Sequence, residues 1–222
     1  KRSSKWTTTL IIFIMMPTFL NLVFVSGILS GLVEGSSIAY RQQYSGDLIL
    51  SNYESRNFIT NSDSVIKTLN TFQEVEAITP RILSGAVVEA NYQDKDRITD
   101  NPDSLSAVLA GIDPAAENRV TALADLVVAG EYLEEGDRNQ VLVGSNLLAE
   151  YSRGVPGDET LENVDVGEKI RLRLDGVTKE LIVKGVVESK VGEVGQRIYM
   201  TDKFLSQLIQ RPSGNVNEIA VA

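Results

Sequence analysis

The 28 residues from Trp6 to Val33, WTTTLIIFIMMPTFLNLVFVSGILSGLV, contain no charged side chain. A hydrocarbon layer of about 30 Å takes about 20 apolar residues of helix at roughly 1.5 Å each, so this run is long enough to span a membrane. A secretory leader needs an apolar region of only about 7 to 15 residues before a small-residue cleavage site. The run exceeds that, although SSIAY just beyond it imitates such a site. Pro17 and Asn21 interrupt the apolar character. A single anchor can absorb one proline and one amide, and a helix packed among other helices can satisfy both.

Charge around the run sets its direction. Lys1, Arg2 and Lys5 precede it, and the first acid, Glu34, follows it. By the positive-inside rule the N-terminus is cytoplasmic and the rest of the chain is exported. Those three cations are the only charges before Glu34. Of 21 basic and 30 acidic residues the exported part therefore holds 18 and 30, a net of −12. Such a surface does not suit nucleic acid, which needs clustered Lys and Arg to displace counterions. The chain has no Cys and no His. That removes disulfides, thiolate chemistry, an imidazole base and the usual zinc ligands, and leaves only carboxylate sites for calcium or magnesium.

Along the exported part, the membrane helix is expected to continue outward to about Arg41, followed by a strand in DLILSN, Asp47 to Asn52. NSDSVIKTLNTFQEV reads as an amphipathic helix capped by Asn61 or Ser62, with Val65, Ile66, Leu69 and Phe72 on one face. VEAITPRILSGAVVEANY is strand-like but broken at Pro80 and Gly85, which suits an edge or a bend. DKDRITDNPDS reads as a polar loop, and LSAVLAGIDP as a buried strand ending in a turn at Asp113 and Pro114. AAENRVTALADLVVAGEYL is helical in part, with Gly130 as its stop. QVLVG is a strand, followed by a helix opened at Ser145 or Asn146. Ile170, Leu172 and Leu174 alternate before a turn at Asp175 and Gly176, giving a β-hairpin with Leu181 to Val187. RIYMT and NEIAVA are further strands, with a short helix at DKFLSQLIQ between them. Strands and helices mix without βαβ regularity, so the fold class is α+β. The regular stretch from Val166 to Ala222 contrasts with a middle punctuated by NPDS and GIDP. It predicts two subdomains, with a lobe inserted over about Ile78 to Leu126.

Three patterns could carry chemistry. Ser64 and Lys67 form S-x-x-K, the spacing of serine acyl-enzymes with a lysine base, but the companion motifs are missing. Asp94, Asp96, Asp100 and Asp103 crowd one loop, yet an EF-hand register started at Asp94 lacks its glycine and its bidentate glutamate. GSNLLAEY at Gly144 and GEVG from Gly192 to Gly195 lack the lysine and hydroxyl of a phosphate loop. KVGEVGQ, Lys190 to Gln196, suits a glycine-rich hairpin tip open to a ligand or partner. Accordingly no catalytic, cofactor or metal residue is assigned. Gly27, Gly31 and Gly35 recur every four residues, a small-residue stripe on one helix face that would admit a close helix neighbour.

The chain resembles the extracytoplasmic domain of MacB, LolC and FtsX-type ABC transporter permeases over nearly its whole length. The resemblance lies in GDLILS from Gly46, AGIDP from Ala110, and AGEYLEEGDRNQVLVGSNLLAEY from Ala129, and continues through VGEKIRLRLDGVTKELIVKGVVES from Val166 and RIYMTDKFLSQLI from Arg197, behind an N-terminal span. It implies a transmembrane helix over 1–41 and a MacB-like periplasmic core domain over 42–222, cut off before a second transmembrane helix. It implies a permease in a prokaryotic cytoplasmic membrane that is not itself an enzyme. Its partners would be a cytoplasmic ABC ATPase subunit, a second permease copy or homologue, the lipid bilayer, and an extracytoplasmic adaptor or substrate protein. The alternatives are a single-span anchored binding or sensor protein, and an anchored hydrolase if Ser64 and Lys67 share a buried cleft.

Overall fold

The computed structural model describes residues 2–52, 58–93, 103–152, 159–211 and 214–222. The chain divides into two compact units, 1–38 and 39–222. The first unit lies within helix α1, Arg2–Tyr40, which is long and apolar enough to cross a membrane. Pro17 sits inside α1 without ending it. Thr9 and Thr18 return hydroxyl bonds to the carbonyls of Lys5 and Ile14, both at 2.9 Å, and so satisfy backbone oxygens inside the helix itself. Trp6, Phe13 and Phe19 are exposed, as apolar side chains without a protein neighbour must be.

In the second unit the backbone passes through a π-turn, Arg41–Ser45, into β1, Leu48–Ser51. The later elements are α2 (Ser62–Leu69), β2 (Ile78–Ala90), β3 (Asp103–Ile112), α3 (Pro114–Thr121), β4 (Val127–Gly130) and β5 (Gln140–Gly144). They are followed by β6 (Lys169–Leu174), β7 (Val177–Val187), α4 (Gly192–Gly195), β8 (Arg197–Thr201), α5 (Asp202–Leu208) and β9 (Glu218–Val221). These strands join in one sheet ordered β1-β9-β2-β3-β8-β5-β7-β4, and β6 pairs with both β2 and β7. Six strands thereby close a hydrogen-bonded ring, β2-β3-β8-β5-β7-β6 and back to β2. Within such a ring the strands have no open edge along their paired length.

Strand periodicity sorts the side chains to two faces. Leu109, Val141, Val143, Ile198 and Met200 join Val88, Leu172 and Leu181 in one core. Their neighbours Ala110, Leu142 and Tyr199 point the other way, into a second core with Tyr44, Leu123, Val191 and Val194. The β6–β7 hairpin turns at Asp175 (φ 44°) and Gly176 (φ 82°), the two positive angles that a tight two-residue hairpin requires. α3 starts where Asp113 accepts the Ala115 and Ala116 amides at 3.0 Å with Pro114 in the first turn, so GIDP is a helix start as well as a strand end.

Several sequence expectations are corrected. β2 runs unbroken through Pro80 and Gly85 and lies inside the sheet. The carbonyls of Ala77 and Arg81 accept from Ala222 and Asn217 of the β9 segment, so Pro80 turns its nitrogen to the opposite side, past the end of β3 at Ile112, where no ladder bond is lost. The stretch expected to form a lobe, 78–126, carries β2, β3 and α3. β2 and β3 belong to the same ring as β6 and β8, and 39–222 is one unit that begins just before Arg41. Gly130 ends strand β4 rather than a helix, and Ser145 opens only a single 3-10 turn, Ser145–Leu147. α2 ends at Leu69, leaving Phe72 exposed beyond it. GEVG forms the short helix α4, whose Val194 is buried, and not a hairpin tip.

Leu172 is 1 % exposed, and truncating such a leucine removes its burial energy and leaves a cavity. Leu172→Ala is expected to destabilise the domain by about 2 to 5 kcal/mol. Val177→Ala, at a position 39 % exposed, is expected to change stability by about 0.5 kcal/mol. Thermal unfolding of the detergent-solubilised chain followed by far-UV circular dichroism checks both.

Candidate functional site

At the start of the second unit, five side chains from five elements meet in a buried ionic cluster. Tyr44 comes from the π-turn, Arg81 from β2, Glu117 from α3, Arg197 from β8 and Glu218 from β9. Arg81 lies against Glu117 with both ends of its fork, Nε to Oε2 at 2.9 Å and Nη2 to Oε1 at 2.7 Å. Arg197 holds Glu218 in the same two-point way, Nη1 to Oε2 at 3.1 Å and Nη2 to Oε1 at 3.0 Å. Arg81 Nη1 reaches Glu218 Oε2 at 3.4 Å and links the pairs. Thr79 and Thr121 donate to the Glu117 carboxylate at 3.0 and 2.9 Å. Two cations thus match two anions, and planar guanidinium forks supply the geometry that carboxylates accept best.

Tyr44 occupies the centre. Its hydroxyl donates to Glu218 Oε1 at 2.8 Å and accepts from Arg197 Nη2 at 3.0 Å. Its ring centroid lies 5.1 Å from the Arg81 guanidinium carbon and 4.9 Å from that of Arg197, within cation–π range of both. Its backbone carbonyl accepts from Arg81 Nη2 at 2.7 Å. A guanidinium from β2 therefore caps a carbonyl at the C-terminal end of the helical segment, where the orphan carbonyls and the negative end of the dipole lie. Tyr40 packs edge-on against the Tyr44 ring at 5.0 Å. The turn is held on either side as well. Gln43 Oε1 accepts from Ser189 at 2.7 Å, and the Asp47 amide bonds the Val221 carbonyl at 2.7 Å. Gly46 takes φ 63° so close to β9 that a Cβ there would stand 2.3 Å from the Val221 oxygen.

Electrostatics follows the geometry. Burial works against the charge of Arg81, yet Glu117 and then Glu218 outweigh it and raise its pKa. Arg197 is raised against its burial by the hydrogen bond and charge of Glu218. Burial alone would lift the Glu218 carboxyl, but Arg197, Tyr44 and Arg81 hold it below the ordinary carboxylate range. Behind the cluster, burial raises the Tyr199 phenol, which donates to the Val194 carbonyl at 3.2 Å.

None of the five cluster residues is singled out by sequence pattern. Arg81, Arg197 and Glu218 are lone charges inside the strand runs ITPRIL, RIYM and NEIAV, and that misfit is the only local signal. Of the residues that are singled out, Ser64 and Lys67 are exposed on α2 and form no buried cleft. Gly27, Gly31 and Gly35 lie on α1, where a Cβ would meet nothing within 4 Å. Asp94, Asp96 and Asp100 fall outside the described residues, and Asp103 opens β3, its carboxylate accepting the Glu162 amide. Among the described residues no group of three or more carboxylates gathers to hold a metal. Every charged group of the cluster is spoken for by another, so the arrangement is built to hold a chain segment in place rather than to do chemistry.

No protein-family model matches the chain, and no curated protein matches it. Solved structures do. The extracellular domain of the noncanonic ABC-type transporter YknZ from Gram-positive bacteria is 14 % identical with a TM-score of 0.50, over 78 % of this chain and 81 % of that one. The periplasmic region of MacB from Actinobacillus actinomycetemcomitans is 18 % identical with the same TM-score, over 78 % of this chain and 72 % of that one. The sheet-rich unit therefore has an α+β fold similar to the extracellular domain of YknZ and the periplasmic region of MacB.

Replacing Glu218 by Gln keeps shape but leaves Arg197 buried beside a neutral amide, a loss of about 3 to 5 kcal/mol for a broken buried pair. A depressed carboxylate stabilises the fold above its unfolded pKa, and that contribution disappears as pH falls through the lowered folded value. The stability gap between wild type and Glu218→Gln is therefore expected to be full at neutral pH and to shrink below about pH 4. Urea titrations of both proteins at a series of pH values measure it.

Proposed function

We propose that this chain is the permease subunit of a MacB/LolC/FtsX-like ABC transporter. Its exported domain passes on motion driven by a separate cytoplasmic ATPase, to export or release a substrate or to act on an extracytoplasmic partner. One observation carries this reading: a domain with the fold of two ABC-transporter extracytoplasmic domains follows directly on a 39-residue apolar helix. The three basic residues before the uncharged run and the acidic chain after it support a cytoplasmic N-terminus in a prokaryotic cytoplasmic membrane. A helix joined to the domain without a flexible linker suits transmission, because a Gly/Ser-type linker would dissipate the displacement. ATP hydrolysis belongs to the partner ATPase, and a second permease copy or homologue completes the membrane part.

Topology provides the first test. Alkaline phosphatase fused after Ala222 is expected to be active, and a fluorescent protein fused before Lys1 to fluoresce in the cytoplasm. A silent phosphatase would exclude an exported domain, and a mature product ending near Ala222 with one span would favour the anchored sensor.

The glycine stripe provides the second. Replacing Gly31 and Gly35 by Leu fills the face on which a neighbouring helix would approach, and it is expected to impair dimer assembly and ATPase coupling of the full permease without preventing insertion. Crosslinking yield and permease-stimulated ATP hydrolysis in proteoliposomes report this. Wild-type values in both would remove the stripe from the assembly.

A further inference from the structure

The ionic cluster is complete in charge without its central residue. Each guanidinium holds a carboxylate at two points, Arg81 on Glu117 and Arg197 on Glu218. Tyr44 enters this frame as a neutral phenol, with one hydrogen bond given, one accepted and one more at its carbonyl. Withdrawing any of the four charged side chains would strand a buried charge, the costliest kind of defect. Withdrawing the phenol strands none, and water can replace the hydrogen bonds it leaves.

The backbone that carries Tyr44 is the unusual part. Arg41–Ser45 is wound in the π register, although α1 is regular up to Tyr40. Such turns are rare, and the added residue per turn changes the face on which a side chain emerges. Arg41 and Gln42 are exposed, and Arg41 pairs with Asp47 across the outside of the turn, while the cluster and the Gln43 contact to Ser189 hold it on the inside. Just beyond, Gly46 and Asp47 are seated on the Val221 carbonyl.

We propose that Tyr44 is a releasable latch: its insertion between Arg81 and Arg197 holds residues 41–45 in the π register, and its withdrawal frees that turn while the four-charge frame stays intact. The chain then has two states at this joint, one with the turn seized by the sheet and one with it free to rewind. Such a joint can transmit a displacement or slip, which makes it a control point for the transmission proposed above. Its use in transmission rests on that function, but the equilibrium itself does not.

Hydrogen exchange on the full chain in lipid nanodiscs tests the equilibrium directly. In the wild type, amides 43–48 are expected to exchange through a local opening that low urea does not accelerate, and faster than those of β8, whose exchange rises with urea. Tyr44→Phe keeps the ring but removes both hydroxyl bonds. It is expected to speed exchange at 43–48 at least tenfold and to leave β8 within twofold. Tyr132→Phe, which removes a hydroxyl bond to the Pro114 carbonyl, is expected to leave 43–48 unchanged. The latch is overturned if wild-type amides 43–48 share the rate and urea dependence of β8, or if Tyr44→Phe moves the two regions equally. A chain that passes here but has a silent phosphatase fusion keeps the latch and loses the permease function.

Discussion

The Arg81–Glu117 pair is the interaction on which the sheet-rich domain is organised. Arg81 sits at the point of β2 where pairing passes from β9 to β3, and its fork ties that strand to α3. The same guanidinium reaches Glu218 on β9 and the carbonyl of Tyr44, so one side chain connects the π-turn to three elements of the fold, β2, α3 and β9. Burying an arginine at 2 % exposure is costly by several kcal/mol. That cost is offset only by a full set of hydrogen bonds, and threonines 79 and 121 complete the set on the carboxylate side.

Around this centre the ring of six strands supplies rigidity. Parallel pairings β3-β8 and β5-β7 interrupt the antiparallel ones, and only the double role of β6, on β2 and on β7, closes the circuit. Alternating residues feed two separate cores, so a strand such as Val141–Val143 is buried on both faces. The cluster adjoins the second core, where Tyr44 packs with Leu123, Val194 and Tyr199. A closed sheet stands on one side of the cluster and a single π-turn, Arg41–Ser45, on the other.

Much of this was legible in the primary structure, and the reasons are local. An uncharged run of 28 residues is long and apolar enough to cross a membrane as a helix, and it lies within α1. Leu172 and Leu174 alternate with arginines, so their strand and its partner across Asp175-Gly176 follow from period and turn chemistry alone. Where local rules failed, a distant segment had overridden them. Pro80 looked like a breaker because its lost donor was judged without knowing which side of β2 it faced. Gly130 looked like a helix stop because Val127–Gly130 gains its strand identity only from β7, more than fifty residues later.

The amino-acid order by itself determined the helix, the fold class, the hairpin and the absence of imidazole and thiol chemistry, since each depends on residues within a few positions of one another or on composition. Tertiary structure alone decided the ring closure and the cluster. Arg81 and Glu218 lie 137 positions apart, and Tyr44 and Glu218 lie 174 apart. A lone charge in an apolar strand states only that it needs a partner. Which partner, and that a tyrosine just past the apolar helix would be inserted between two such pairs, follows from strand order and register, which no periodicity encodes.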